Sequence, residues 1–180
     1  ILFNKYILSF FGFPFPISLT MIHMCFCSCM AFLIIRVFKL VNSNDLDRQT
    51  YVQKIVPVGA LFALSLWLSN TAYVYLSVAF IQMLKALMPA SVYTVGCLMG
   101  IEQFTYARLA NMFVITLGVC IASYGELNFH LLGVLIQLAS VCAEAFRLGL
   151  VQIILNSEKL KMNSITTLYY VSPACFVFLL

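Results

Sequence analysis

Charge is what this sequence lacks most. Only 9% of its 180 residues are Asp, Glu, Lys or Arg, against about 25% in an ordinary soluble domain. With 63% apolar residues and a mean hydropathy of +1.03, a soluble globular domain, a disordered chain and a disulfide scaffold are all excluded. The net charge of +4 comes from cations scattered through apolar sequence. They form no basic stripe, so nucleic acid is excluded as a partner. Enzymatic signatures are missing as well: the sequence holds no GxSxG, HExxH, P-loop or GxGxxG, nothing points to an enzyme, and no cofactor is expected. No signal peptide and no Arg/Ser-rich presequence is visible. Because the chain opens at Ile1, it is read as an internal fragment of a longer polytopic membrane protein, and no organelle is excluded.

What is there is a series of long apolar runs. A bilayer core of about 30 Å needs about 20 apolar residues as helix. Ile17 to Ile35 is uncharged and ends at Arg36. From Ile55 to Ile101 only Lys85 is charged, and one helix of that length would reach roughly 70 Å, so two spans are expected with a turn near Leu76–Ala79. Further spans are expected over Leu109–Gly125, Asn128–Leu155 and Met162–Leu180, and Ile1–Phe11 reads as the tail of an earlier one, followed by a turn at Pro14 and Pro16. A β-barrel would need runs of about ten residues with alternating polarity; these runs are longer and apolar throughout. The expected fold is an all-α polytopic helical bundle.

Seven of the ten Lys/Arg (Arg36, Lys39, Arg48, Lys54, Arg108, Lys159, Lys161) fall on alternate loops, which the positive-inside rule puts on the cytosolic side. Small-xxx-small pairs at Gly96/Gly100, Gly118/Ala122 and Ala139/Ala143 favour close helix packing.

Three intramembrane charges are the candidate chemistry. Lys85 costs about 2.5–3.5 kcal/mol to insert at mid-span. Either it snorkels to the interface or it seats an anion. Gln82 lies one turn earlier on the same helix face, and Pro89 removes a backbone hydrogen bond beside the lysine. Glu144 and Arg147 are i,i+3 neighbours; either they form a structural ion pair, or Arg147 meets an anionic substrate while Glu144 gates or takes a proton. The cysteines at 25, 27 and 29 point about 200° apart at each step of two, so they cannot ligate one metal. All seven cysteines read as small buried hydrophobes, and His23 and His130 as structural residues; no metal is expected.

Certain stretches have a recognisable order. Ile1-Leu-Phe-Asn-Lys-Tyr-Ile-Leu8 and Phe13-Pro-Phe-Pro-Ile-Ser-Leu-Thr-Met-Ile-His23 resemble the opening of the triose-phosphate/nucleotide-sugar translocator family, within the drug/metabolite transporter superfamily. The run Ser69-Asn-Thr-Ala-Tyr-Val-Tyr-Leu-Ser-Val-Ala-Phe-Ile-Gln-Met-Leu-Lys-Ala-Leu-Met-Pro89 is similar to the family's fourth-helix motif. Gly118 with Ser123-Tyr-Gly-Glu-Leu-Asn-Phe129 resembles its fifth-helix end, and Leu168-Tyr-Tyr-Val-Ser-Pro173 the start of its seventh helix. The resemblance covers essentially the whole chain and is nearest to plant sugar-phosphate/phosphate translocators.

It implies a ten-helix transporter of two inverted five-helix repeats, of which residues 1–180 hold the end of helix one, helices two to six and the start of seven, with the C-terminal helices missing. It implies alternating access as an antiporter. Lys85 stands where the family's fourth-helix lysine contacts phosphate, and a second basic site would lie beyond Leu180. The third-helix histidine of the phosphate exchangers has no counterpart in Ser65-Leu-Trp-Leu-Ser-Asn70, which puts a triose-phosphate substrate in doubt and leaves phosphate recognition open. The expected substrate-binding set is Lys85, Gln82, Ser69, Asn70 and Arg147, with Glu144 and Pro89 structural or gating. The expected partners are a small anionic phosphorylated substrate, a sugar phosphate or nucleotide sugar, and membrane lipids; a homodimer is compatible. Golgi is the first expected membrane, plastid inner envelope or endoplasmic reticulum the alternatives. A seven-helix-type receptor and a membrane-embedded transferase are the competing classes. The short uncharged turns offer no ligand-facing surface for the first, and the intramembrane charges are not clustered at one membrane face for the second.

Overall fold

The computed structural model describes residues 16–39, 47–124, 130–157 and 164–180, and the regular structure among them is helical. The expected stub at 1–11, Pro14, the 125–129 part of the expected turn, Lys159 and Lys161 lie outside the described residues. Helix α1 (Pro16–Phe32) widens into a π-helical turn over Leu33–Val37. Helix α2 (Arg48–Tyr75) passes through a second π turn at Tyr51–Ile55. Then come α3 (Val78–Lys85), α4 (Met88–Leu98), α5 (Tyr106–Tyr124), α6 (Leu131–Asn156) and α7 (Ser164–Leu179). Together α3 and α4 make one span of 21 residues; with α1, α2, α5 and α6 they give five helical segments long and apolar enough to cross a membrane.

The hairpin turn expected near Leu76–Ala79 falls at Leu76 and Ser77. Ser77 caps α3 by accepting a hydrogen bond from the Phe80 N–H at 3.2 Å, so a serine N-cap supplies the stop that no Gly or Pro marks.

The contacts divide the chain into two units. In the first, residues 1–59 and 162–180, α1 packs along α7. Tyr51 meets the Tyr170 ring edge-on at 6.2 Å and donates its hydroxyl to the Tyr170 carbonyl at 3.3 Å. Gly59 approaches the Ala174–Cys175 backbone so closely that a Cβ would sit 3.1 Å from the Ala174 carbonyl carbon.

In the second unit, residues 60–161, α4 packs along α6. Ala72, Leu76, Phe80, Ile81, Leu84 and Val119 form its apolar cluster. Gly133 of α6 makes the close approach here: a Cβ would lie 2.7 Å from Tyr75 Cβ and 2.8 Å from Leu76 Cγ.

Two expectations are corrected. Gly100 is not a packing residue; it ends α4 in the left-handed conformation (φ +70°), and the Ile101 N–H returns to the Gly96 carbonyl at 2.9 Å. Gly118 faces open space. Small residues matter only where a helix crosses, and spacing alone does not say where that is. Likewise, only Cys175 is buried in the protein, while Cys25, Cys29, Cys120 and Cys142 are exposed. Phe26, Trp67, Phe113 and Ile121 are exposed as well.

Candidate functional site

Lys85 is the last residue of α3 and Pro89 the second of α4, with Ala86 and Leu87 between them as a turn. Pro89 has no N–H for the carbonyl four residues back, and its ring crowds that position. The span therefore breaks directly after the lysine.

Lys85 is half-buried and lines a cavity of about 250 Å³ shared with Ser65 and Ser69 of α2 and Gln137, Ser140 and Glu144 of α6. All of these lie within the second unit. Most of the polar groups are already paired. The Glu144 carboxylate accepts Arg147 Nε at 3.0 Å, a second bond from Arg147 Nη2, and Ser65 Oγ at 3.0 Å. Ser140 Oγ donates to the Ser65 carbonyl at 2.7 Å. The Arg147 guanidinium also lies 5.4 Å from the Phe62 ring centroid, a cation–π distance. These bonds tie α6 to α2 and hold one wall of the cavity rigid.

Ser69 Oγ and both amide atoms of Gln137 are different: they are buried without a hydrogen-bond partner among the described residues. Buried amides are normally satisfied, so these three atoms stand out among the polar groups of the residues that line the cavity. Lys85 also lines a second cavity of about 660 Å³ that reaches Tyr93, Glu102 and Arg108. Glu102 and Arg108 form an ion pair there, and the Tyr93 hydroxyl accepts the Thr105 N–H at 2.8 Å. The lysine thus stands in the wall between two openings.

The candidate residues from the sequence are distributed unevenly. Lys85, Ser69 and Glu144 meet in the smaller cavity, and Pro89 lines the larger. Arg147 is held by Glu144. Asn70 turns its amide back to the Leu66 carbonyl at 2.9 Å. Gln82 is exposed, with the Tyr73 hydroxyl 3.5 Å away. Gln137, Ser140 and Ser65 were not singled out from sequence. Their signal is a polar stripe at helical spacing in apolar spans, Gln137, Ser140 and Glu144 on α6 facing Ser65 and Ser69 on α2.

The arrangement brings a cation, hydroxyls, an amide and a carboxylate around one cavity. The profile of the Triose-phosphate Transporter family matches residues 1–180. The chain belongs to that family. Three Arabidopsis thaliana relatives, each described as a "Probable sugar phosphate/phosphate translocator", are 57%, 55% and 48% identical to this family member, each over 99% of the chain. It covers 52%, 52% and 49% of their lengths, so the chain spans about half of the curated relatives it matches. Membership in the Triose-phosphate Transporter family, with five spanning helices, makes it part of a multi-pass membrane protein.

Proposed function

We propose that this chain forms part of a secondary transporter that exchanges a sugar phosphate for inorganic phosphate or another anion across an endomembrane by alternating access. Lys85 carries the reading. It sits at the break of a spanning helix, lines two cavities, and shares the smaller with the buried unpartnered groups of Ser69 and Gln137. A compact ammonium on a flexible stem suits phosphate as a point charge. A bound dianion neutralises that cation, which favours reorientation of the loaded form and exchange over leak. The names of the relatives, which pair sugar phosphate with phosphate, support the same cargo.

The remaining frame is proposed on the same footing: two inverted five-helix repeats, with the second basic site in the part of the carrier not covered by these residues, and the Golgi as the membrane ahead of plastid envelope and endoplasmic reticulum. Microscopy of the tagged full-length protein decides the last point.

Lys85→Gln in the full-length protein, reconstituted in proteoliposomes, tests the function. It keeps most of the stem and removes the charge, so insertion should survive. Phosphate binding should weaken by about 1.5–3 kcal/mol, as for a lost hydrogen bond to a charged group. Lys85→Arg should impair exchange yet leave recognition. Exchange at the parental rate and affinity by Lys85→Gln refutes the assignment and leaves the lysine as a snorkelling residue.

A further inference from the structure

Gln137 is fully buried (0% exposed) as the seventh of the 26 residues of α6, and neither its amide oxygen nor its amide nitrogen has a hydrogen-bond partner among the described residues. An amide left in that state is destabilising unless something arrives to satisfy it. It lines the same cavity as Lys85, where Ser69 Oγ is likewise buried and unpartnered. The neighbouring Ser65, Ser140 and Glu144 already bond to one another's elements. The cavity therefore holds one cation and, separately, one donor–acceptor amide with one hydroxyl. That is two chemistries in one small space.

We infer that Gln137 is a specificity-determining residue that reads the hydroxyl-bearing portion of the cargo, while Lys85 holds its phosphate. The inference rests on the transport reading above. An amide suits this task because it donates and accepts at once, as a sugar hydroxyl also does. Inorganic phosphate engages the lysine without needing the amide; a phosphorylated sugar engages both. Gln137 thus separates the two exchanged ligands, with Ser69 as its neighbour.

The test measures inorganic phosphate homo-exchange by the reconstituted full-length carrier, with a panel of sugar phosphates from triose to hexose as competitors. Gln137→Leu and Gln137→Met are compared with the parent. The unbranched Met guards against reading a packing clash as loss of the amide. Both variants should raise the ratio of the sugar-phosphate to the inorganic phosphate half-saturation constant about 10–100-fold, the loss of one or two hydrogen bonds made by the sugar phosphate alone. Their thermal stability should be unchanged or raised, because an unsatisfied amide has been removed. A merely structural amide would instead lower stability and shift both ligands together, and either result overturns the inference. If the parent exchanges phosphate but no sugar phosphate competes, the Gln137 assignment alone falls. If the parent exchanges no phosphate, the transport reading falls and this one with it.

Discussion

Glu144→Gln should destabilise the full-length carrier more than its small change in shape suggests. The carboxylate accepts two bonds from Arg147 and one from Ser65 Oγ, and the two charged side chains are only 25% and 20% exposed. Removing the carboxylate strands a guanidinium beside the Phe62 ring. Breaking a buried pair from one side costs about 3–5 kcal/mol; the residual exposure here lowers that to about 2–4 kcal/mol. Arg147→Gln should cost a similar amount for the mirror reason. In the double variant neither charge is left alone, and the remaining loss is that of ordinary hydrogen bonds, about 1–2 kcal/mol. The coupling energy of the cycle is then about 2 kcal/mol or more, well above the ~0.5 kcal/mol scatter of independent sites. Steric-trap unfolding free energies of the four proteins in detergent or bicelles measure it. If the double variant loses the sum of the two singles, the residues do not act as a pair, and the rigid wall attributed to them does not exist.

Other outcomes follow from single contacts. Gly133→Ala should cost about 1–3 kcal/mol, since its Cβ would land 2.7 Å from Tyr75 Cβ. Gly118→Ala meets nothing within 4 Å, should be neutral or gain up to ~1 kcal/mol of helix propensity, and serves as the control in the same unfolding measurement; equal losses at both positions would refute the packing assigned to Gly133. In a Cys-free background, cysteines at exposed Asp47 and His130 should label from opposite sides with a membrane-impermeant maleimide, because the Lys/Arg bias puts the 36–54 loop in the cytosol. Labelling from one side overturns the span count.

Five of the expected spans and their approximate ends were legible in the sequence because they follow from length against bilayer thickness, a property of each segment alone, whereas the helix at Ser164–Leu179 is shorter than the span expected there. The break at Lys85 was legible for the same reason: Pro89 acts on the backbone four residues back, and both lie on one stretch of chain. The Glu144–Arg147 pair needed only one turn of helix. Gln82 shows where such reasoning stops. Its i,i+3 spacing puts it on the Lys85 face of an ideal helix, yet it is exposed and lines neither cavity near the lysine. Its place beside Lys85 and Ser69 is taken by Gln137, more than fifty positions along the chain. Helical periodicity records which residues share a face, but not which face meets which. The meeting of α2, α3 and α6, fixed by Gly133 against Tyr75 and by Ser140 on the Ser65 carbonyl, is a sum of contacts between segments distant in sequence. Only that sum leaves Gln137 and Ser69 buried and, among the described residues, unpartnered in the cavity that Lys85 lines, while Ser65 and Glu144 are bonded away.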